Sequence, residues 1–134
     1  MALFLIIGAV YWYDFYFYPL FPYYQNLTQF SLGKKSQSDY WSWFDSKMPR
    51  NYRAAGFLQE LTDKNDEVFI WGNEANIYAL SHRQPASRYT VAYHIQDFKK
   101  EKEVLQQLQQ TPPVAIVYDT DFNYSLPGFY SFLS

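Results

Sequence analysis

At 134 residues the chain has room for one domain with a core plus a tail, but hardly for two domains. Its net charge of −2 lacks the clustered cations that nucleic acid demands, and the absence of cysteine excludes disulfides, thiol nucleophiles and the usual structural zinc sites. Aromatic residues reach 22 %, with 14 Tyr and 12 Phe, an excess that suits membrane interfaces and carbohydrate-facing surfaces, where a ring is dry at one end and wet at the other.

No residue from Met1 to Tyr13 is charged, and residues 2–10 form a continuous apolar block. Taken to Leu20, with Asp14 as its single charge, the block supplies roughly 20 residues, about the length that crosses a bilayer core. Its second half is a belt of Tyr11, Trp12, Tyr13, Phe15, Tyr16, Phe17 and Tyr18, suited to the headgroup layer. We therefore expect the end of a transmembrane helix and its interfacial belt over residues 1–22. A signal or re-entrant segment and a buried apolar element are the rival readings; a signal peptide would show a basic n-region and a small-residue cleavage site. Pro19 and Pro22 are expected to bend or stop the helix.

Residues 23–49 read as an interfacial connector with an aromatic helix. Asp39 is a candidate cap, and Tyr40, Trp41, Trp43 and Phe44 either bury against the domain or form a platform on which sugars stack. Asn26 and Asn123 begin glycosylation-type triplets, which matter only in a eukaryotic secretory setting.

Residues 50–134 read as an α/β domain. Ala54, Phe57, Leu58 and Leu61 recur at i, i+3, i+4 and i+7, which marks an amphipathic helix. Val68, Phe69, Ile70 and Trp71 then form a short apolar run between Asn65-Asp66 and Gly72-Asn73, the pattern of a central strand covered on both faces. Asn73 is placed to cap a following helix with Ile77, Tyr78 and Leu80 on its apolar side. A second strand is expected over residues 88–93, from its β-branched and aromatic content. Asp97 is expected to cap a helix that turns Phe98, Val104, Leu105 and Leu108 inward, and Thr111-Pro112-Pro113 to stop it. Residues 114–118 supply the third strand. Strands separated by helices predict a mainly parallel sheet with helices on its faces, a small Rossmann-like three-layer domain preceded by a transmembrane helix end.

Chemistry is sparse. Trp71-Gly72-Asn73-Glu74 carries one glycine, and a carboxylate where a phosphate would sit, so it is no dinucleotide loop. His82 and His94, the two histidines, read as the end of a helix and the end of a strand; a metal would need them to converge with Glu74, Asp97 or Asp119. Asp119 and Asp121 follow a strand's C-terminal end, either as a paired acid site or as solvated loop acids. Arg83 and Arg88 flank a polar loop, where their planar forks could grip a phosphate or could fix the loop through carbonyls and carboxylates.

The runs Phe69-Ile70-Trp71-Gly72-Asn73, Ile77-Tyr78-Ala79-Leu80-Ser81-His82-Arg83 and Pro85-Ala86-Ser87-Arg88-Tyr89 resemble the C-terminal soluble region of bacterial polytopic GT-C glycosyltransferases. So does Pro112-Pro113-Val114-Ala115-Ile116-Val117-Tyr118-Asp119 after a charged helix. These enzymes are relatives of protein O-mannosyltransferases and lipid A aminoarabinose transferases. The resemblance covers residues 50–119, and its motifs are structural rather than catalytic. It implies an extracytoplasmic domain behind a many-spanning part of the bacterial inner (plasma) membrane. The activity implied is transfer of a sugar from a polyprenyl-phosphate donor to a lipid, glycan or protein acceptor. The family's catalytic acids lie in early loops of the membrane part, so none is carried onto this chain, and Asp14 is not given that role. Arg83, Arg88, Tyr89, Asn73 and Asp119 are the candidate substrate-binding residues, membrane lipid is an expected partner, and no cofactor, metal ligand or nucleic acid is expected. The competing readings are a membrane-anchored binding or scaffold module and a soluble α/β enzyme whose N-terminal block is core.

Overall fold

The computed structural model describes residues 2–13, 19–122 and 128. The chain divides into two compact units, Met1–Met48 and Pro49–Ser134.

The first unit holds α1 (Ala2–Trp12), α2 (Leu20–Ser31) and α3 (Gln37–Ser42). Leu3, Phe4, Leu5, Ile6, Ile7, Val10, Tyr11 and Trp12 on α1 are all exposed. Its 11 residues span about 16 Å at 1.5 Å per residue, and among the described residues no helix is long and apolar enough to cross a membrane. Residues 14–18 of the expected belt lie outside the described residues. The two prolines start a helix instead of ending one: Pro19 occupies the N-cap of α2 and Pro22 its first turn, where a missing N–H leaves no bond unmade. Much of the expected connector is therefore helical. It ends at Gly33, whose φ of 69° lets the Gly33 and Lys34 amides return to the carbonyls of Phe30 and Gln29.

Ser36, not Asp39, caps α3, because its Oγ accepts from the Asp39 amide at 3.1 Å and donates to the Asp39 carboxylate at 2.6 Å. Phe30 stacks on Tyr40 at 4.5 Å, and Tyr40 and Tyr23 meet Phe44 edge-on at 5.2 and 6.0 Å. Rings thus hold α2 against the α3 segment. Asn26 is buried between them; its Oδ1 accepts from Lys35 Nζ at 2.6 Å and its Nδ2 faces the Tyr40 carbonyl. It is in no position to carry a glycan, and Asn123 lies outside the described residues.

The second unit comprises α4 (Met48–Leu61), β1 (Glu67–Trp71), α5 (Asn76–Ser81), β2 (Gln84–Pro85), α6 (Ala92–Asp97), α7 (Glu101–Gln110) and β3 (Ala115–Tyr118). The three strands form one parallel sheet in the order β2-β1-β3, with Val68 opposite both Pro85 and Ala115 and Trp71 opposite Tyr118. This is an α/β arrangement, as the alternation of strands and helices implies. Successive side chains of a strand point to opposite faces, so β1 serves two cores. Phe69 and Trp71 pack with Ala92, Ile95, Val104 and Leu108 of α6 and α7. Val68 and Ile70 pack with Ala55 and Leu58 of α4 and Ile77 and Tyr78 of α5. Each such burial contributes on the order of 2 kcal/mol, more than any one ladder bond, which is why the run Val68 to Trp71 takes the centre.

Three details depart from the sequence reading. The second strand is not at residues 88–93 but at Gln84–Pro85, and Ala92 opens α6. Pro85 offers no amide to a ladder, and the chain leaves the sheet after Ala86 donates to the Val68 carbonyl at 2.9 Å. It returns only at Ala92, whose amide reaches the Gly72 carbonyl at 2.8 Å. The gap leaves the Ile70 N–H without a strand partner, and the Tyr78 hydroxyl accepts it at 2.9 Å. Burial pushes the Tyr78 phenol up to about 12, although its bond with Ile70 pulls the other way.

The helix expected to start after Asp97 starts at Glu101, and a separate helix, α6, precedes it. Asp97 ends α6, Lys99 turns left-handed at φ 53°, and the Lys99 and Lys100 amides close on the Gln96 and Ile95 carbonyls. Phe98 consequently points outward, while Val104 and Leu108 are buried as expected. In α4 the buried stripe is rotated: Asn51, Ala55 and Leu58 face inward, whereas Phe57 and Leu61 are 61 % and 73 % exposed. Both stripes contain Leu58; the one adopted sets small Ala55 beside the strands and brings Asn51 to a polar partner.

Candidate functional site

In open α/β sheets, ligands bind outside the carboxyl ends of the strands where successive connections diverge. Here the chain passes from β1 to β2 through α5 on one face, then from β2 to β3 through α6 and α7 on the other, so the divergence falls between β1 and β3. A cleft of about 190 Å³ lies at that point. Its floor is apolar, from Ala54, Ile70, Ile77 and Val117; its rim is polar, from Arg50, Asn51, Glu74, Asp119 and Thr120.

Three local structures bring the rim together. The first turn of α4 presents Arg50 and Asn51, the turn after β1 presents Glu74, and the end of β3 presents Asp119. Arg50 Nη1 meets Asp119 Oδ1 at 3.3 Å and Asp121 Oδ2 at 2.5 Å. Partial burial would lower the pKa of this guanidinium, but the Asp121 bond and the charges of Asp119, Asp121 and Glu74 outweigh it and raise the value. Asn51 Nδ2 donates to Glu74 Oε2 at 2.6 Å and Asn76 Oδ1 at 3.1 Å. Asn51 is 1 % exposed, and its Oδ1 is buried without a hydrogen-bond partner.

The close approach of β1 and β3 beside this cleft depends on Gly72. A Cβ there would stand 2.6 Å from the Asp119 Cβ, well inside contact distance. Asp119 is further fixed by its amide, which donates to the Trp71 carbonyl, and by its Oδ1, which accepts from the Asp121 amide at 3.1 Å.

The five candidate residues do not converge. Asp119 is in the cleft, joined to Arg50 and Asp121. Asn73 caps a helix, but it is α6 and not α5: its Oδ1 accepts from the Tyr93 amide at 3.2 Å, while α5 begins at Asn76 with no side-chain cap. Arg83 spends its guanidinium on the unit's own atoms, donating to Thr62 Oγ1 and to the carbonyls of Thr62, Ser81 and Gln59 at 2.7–3.3 Å. It ties the end of α4 to the end of α5. Arg88 is 69 % exposed on the α7 side, 3.4 Å from Glu103 and 5.2 Å from the Tyr89 ring centre. It also lines an open hollow with Glu67 and Gln84, at the opposite ends of the strands from Asp119. Arg83 and Arg88 therefore form no common clamp.

His82 sits at the C-terminus of α5 in the left-handed conformation, and His94 lies within α6 beside Tyr93 and Phe98, not at a strand end. Among the described residues, no three His, Asp or Glu side chains are grouped to hold a metal ion. Arg50, Asn51 and Asn76 were not legible as site residues. The available signal was a polar Asn51 in register with Ala55 and Leu58 on a buried stripe, which a long-range partner must satisfy. No family model, curated protein or solved structure matches the chain, so its function is read from these residues alone.

Proposed function

We propose that the chain is a membrane-held, non-catalytic α/β module: the extracytoplasmic C-terminal part of a bacterial inner-membrane glycosyltransferase of the GT-C class. The whole enzyme would transfer a sugar from a polyprenyl-phosphate donor to a lipid, glycan or protein acceptor, and this part would position the acceptor. The observation that carries the membrane half of this reading is α1, an uncharged helix whose large apolar side chains are exposed from Leu3 to Trp12. A helix that is hydrophobic all round needs an apolar surrounding. The strand order β2-β1-β3, with helices on both faces, supports a Rossmann-like reading of the second unit.

A non-catalytic role is supported by Arg50, whose guanidinium contacts both Asp119 and Asp121 and so occupies the carboxylates that follow β3. That same observation favours the second reading, a membrane-anchored module without enzymatic function.

The test has three arms. In bacteria expressing the chain, it should stay with membranes through an alkaline wash, and deletion of residues 2–12 should release it; recovery of the intact chain in the aqueous fraction would reject membrane attachment. The purified chain should transfer no sugar from a polyprenyl-phosphate donor, and turnover by it would reject the non-catalytic assignment. Joined to a multispanning glycosyltransferase part encoded in the same reading frame, it should raise acceptor affinity; no such upstream coding sequence would leave the scaffold reading in place.

A further inference from the structure

In water, a pair of packed helices buries apolar side chains and turns polar ones outward. The pair of α2 and α3 does the reverse. Among the described residues of the first unit, the one buried side chain is the polar Asn26, held by Lys35 Nζ at 2.6 Å and facing the Tyr40 carbonyl. No apolar side chain there is buried. Phe21, Tyr24 and Leu32 are instead 79 %, 60 % and 64 % exposed. With Thr28 they fall on one side of the segment, at i, i+3, i+7 and i+11, and line an open groove of about 340 Å³. From Leu20 to Gly33 no residue is charged. The first charge, Lys34, lines the same groove; it is exposed and, unlike Lys35, its ammonium has no acceptor among the described residues.

We propose that α2 lies in the headgroup boundary of an anionic phospholipid bilayer, with Phe21, Tyr24 and Leu32 against the acyl chains and Lys34 on lipid phosphate. A bilayer accounts for the polar interior and the apolar exterior together, because a polar group next to lipid must find its partner inside the protein. Tyrosine rings suit a boundary that is dry on one side and wet on the other, and a lysine stem can lie along apolar surface while its ammonium reaches the phosphate. The inference rests on the membrane reading above and adds to it a second contact, separate from α1.

The chain has no cysteine, so a nitroxide can be placed at one chosen position. In the full chain reconstituted in phosphatidylglycerol liposomes, labels at Tyr24→Cys and Leu32→Cys should collide more with oxygen, which concentrates in lipid, than with a water-soluble nickel chelate. A label at Lys102→Cys, exposed on α7, should do the reverse. Ile6→Cys reports on α1 separately. A lipid signal there with aqueous signals at Tyr24→Cys and Leu32→Cys would overturn this proposal and leave attachment through α1 intact, whereas aqueous signals at all three would overturn both. Spin–spin broadening at Tyr24→Cys would mark contact between two copies of the chain and would also overturn it. Lys34→Gln should weaken partition of the full chain into phosphatidylglycerol vesicles about fivefold, the scale of one cation at an anionic surface, and leave partition into phosphatidylcholine vesicles unchanged. No weakening, equal weakening on both lipids, or the same weakening by Lys102→Gln would refute the contact of Lys34 with lipid phosphate.

Discussion

Single atoms decide much in the second unit. Tyr78 takes over a hydrogen bond that a strand would normally supply, since β2 ends before it can reach the Ile70 amide. Tyr78→Phe keeps the ring and strands that amide, so it should cost about 1–3 kcal/mol in a urea titration. The same residue sets an alkaline limit. Its folded pKa, pushed up to about 12 by burial, lies above the ordinary 10.0, so the folded state holds the proton more tightly than the unfolded chain. This contribution is fully present below pH 10.0 and is lost as pH rises through about 12. Melting temperatures across that window should fall more steeply for the wild type than for Tyr78→Phe, and parallel curves would refute the linkage. Gly72 is the other critical residue: Gly72→Ala sets a Cβ 2.6 Å from that of Asp119, and the forced separation of β1 from β3 should cost about 1–3 kcal/mol.

At the scale of elements, helix ends account for most departures from the sequence reading. Among the described residues, two left-handed positions lack glycine, His82 after α5 and Lys99 between α6 and α7. Both complete turns in which the following amides satisfy free carbonyls, and glycine would adopt that conformation without the Cβ penalty. Lys99→Gly, at an exposed position, should therefore stabilise the protein by about 0.5–1 kcal/mol, read as a higher urea midpoint. Asn73 shows the complementary case. Its chemistry marked it as a cap, but chain proximity pointed to α5, whereas the tertiary fold gives it to α6 from 20 residues away. The exposed pair of Lys100, which precedes α7, and Glu103 in its first turn raises the Lys100 pKa and lowers that of Glu103, but at the surface such pairs add little stability.

For the molecule as a whole, the contrast between the units is one of solvent. The second unit encloses Trp71 and Phe69 completely, while α1 leaves Trp12 83 % exposed. Adding phospholipid vesicles to detergent-free protein should shift tryptophan emission to the blue, and Trp12→Phe should remove most of that shift. No shift in the wild type would mean that α1 does not enter a bilayer.

The α/β class, the central and third strands and the apolar start were legible because each rests on a local pattern. Val68 to Trp71 and Ala115 to Tyr118 are apolar runs of strand length; the first is buried at the centre of the sheet, and the second lies half-buried along its edge. The position of β2, the rotation of α4 and the cleft were not legible in this way. β2 is two residues long, too short for any periodicity, and owes its place to pairing along one edge of β1. Phe57 and Leu61 obey a helical period as well as Asn51 and Ala55 do, so the choice fell to the bonds that Asn51 makes with Glu74 and Asn76 across 23 and 25 residues. Arg50, Glu74 and Asp119 are unremarkable polar residues when read along the chain. Folding the carboxyl ends of β1 and β3 against the first turn of α4 is what makes them a site, because charges act through distance in space and not through separation in sequence.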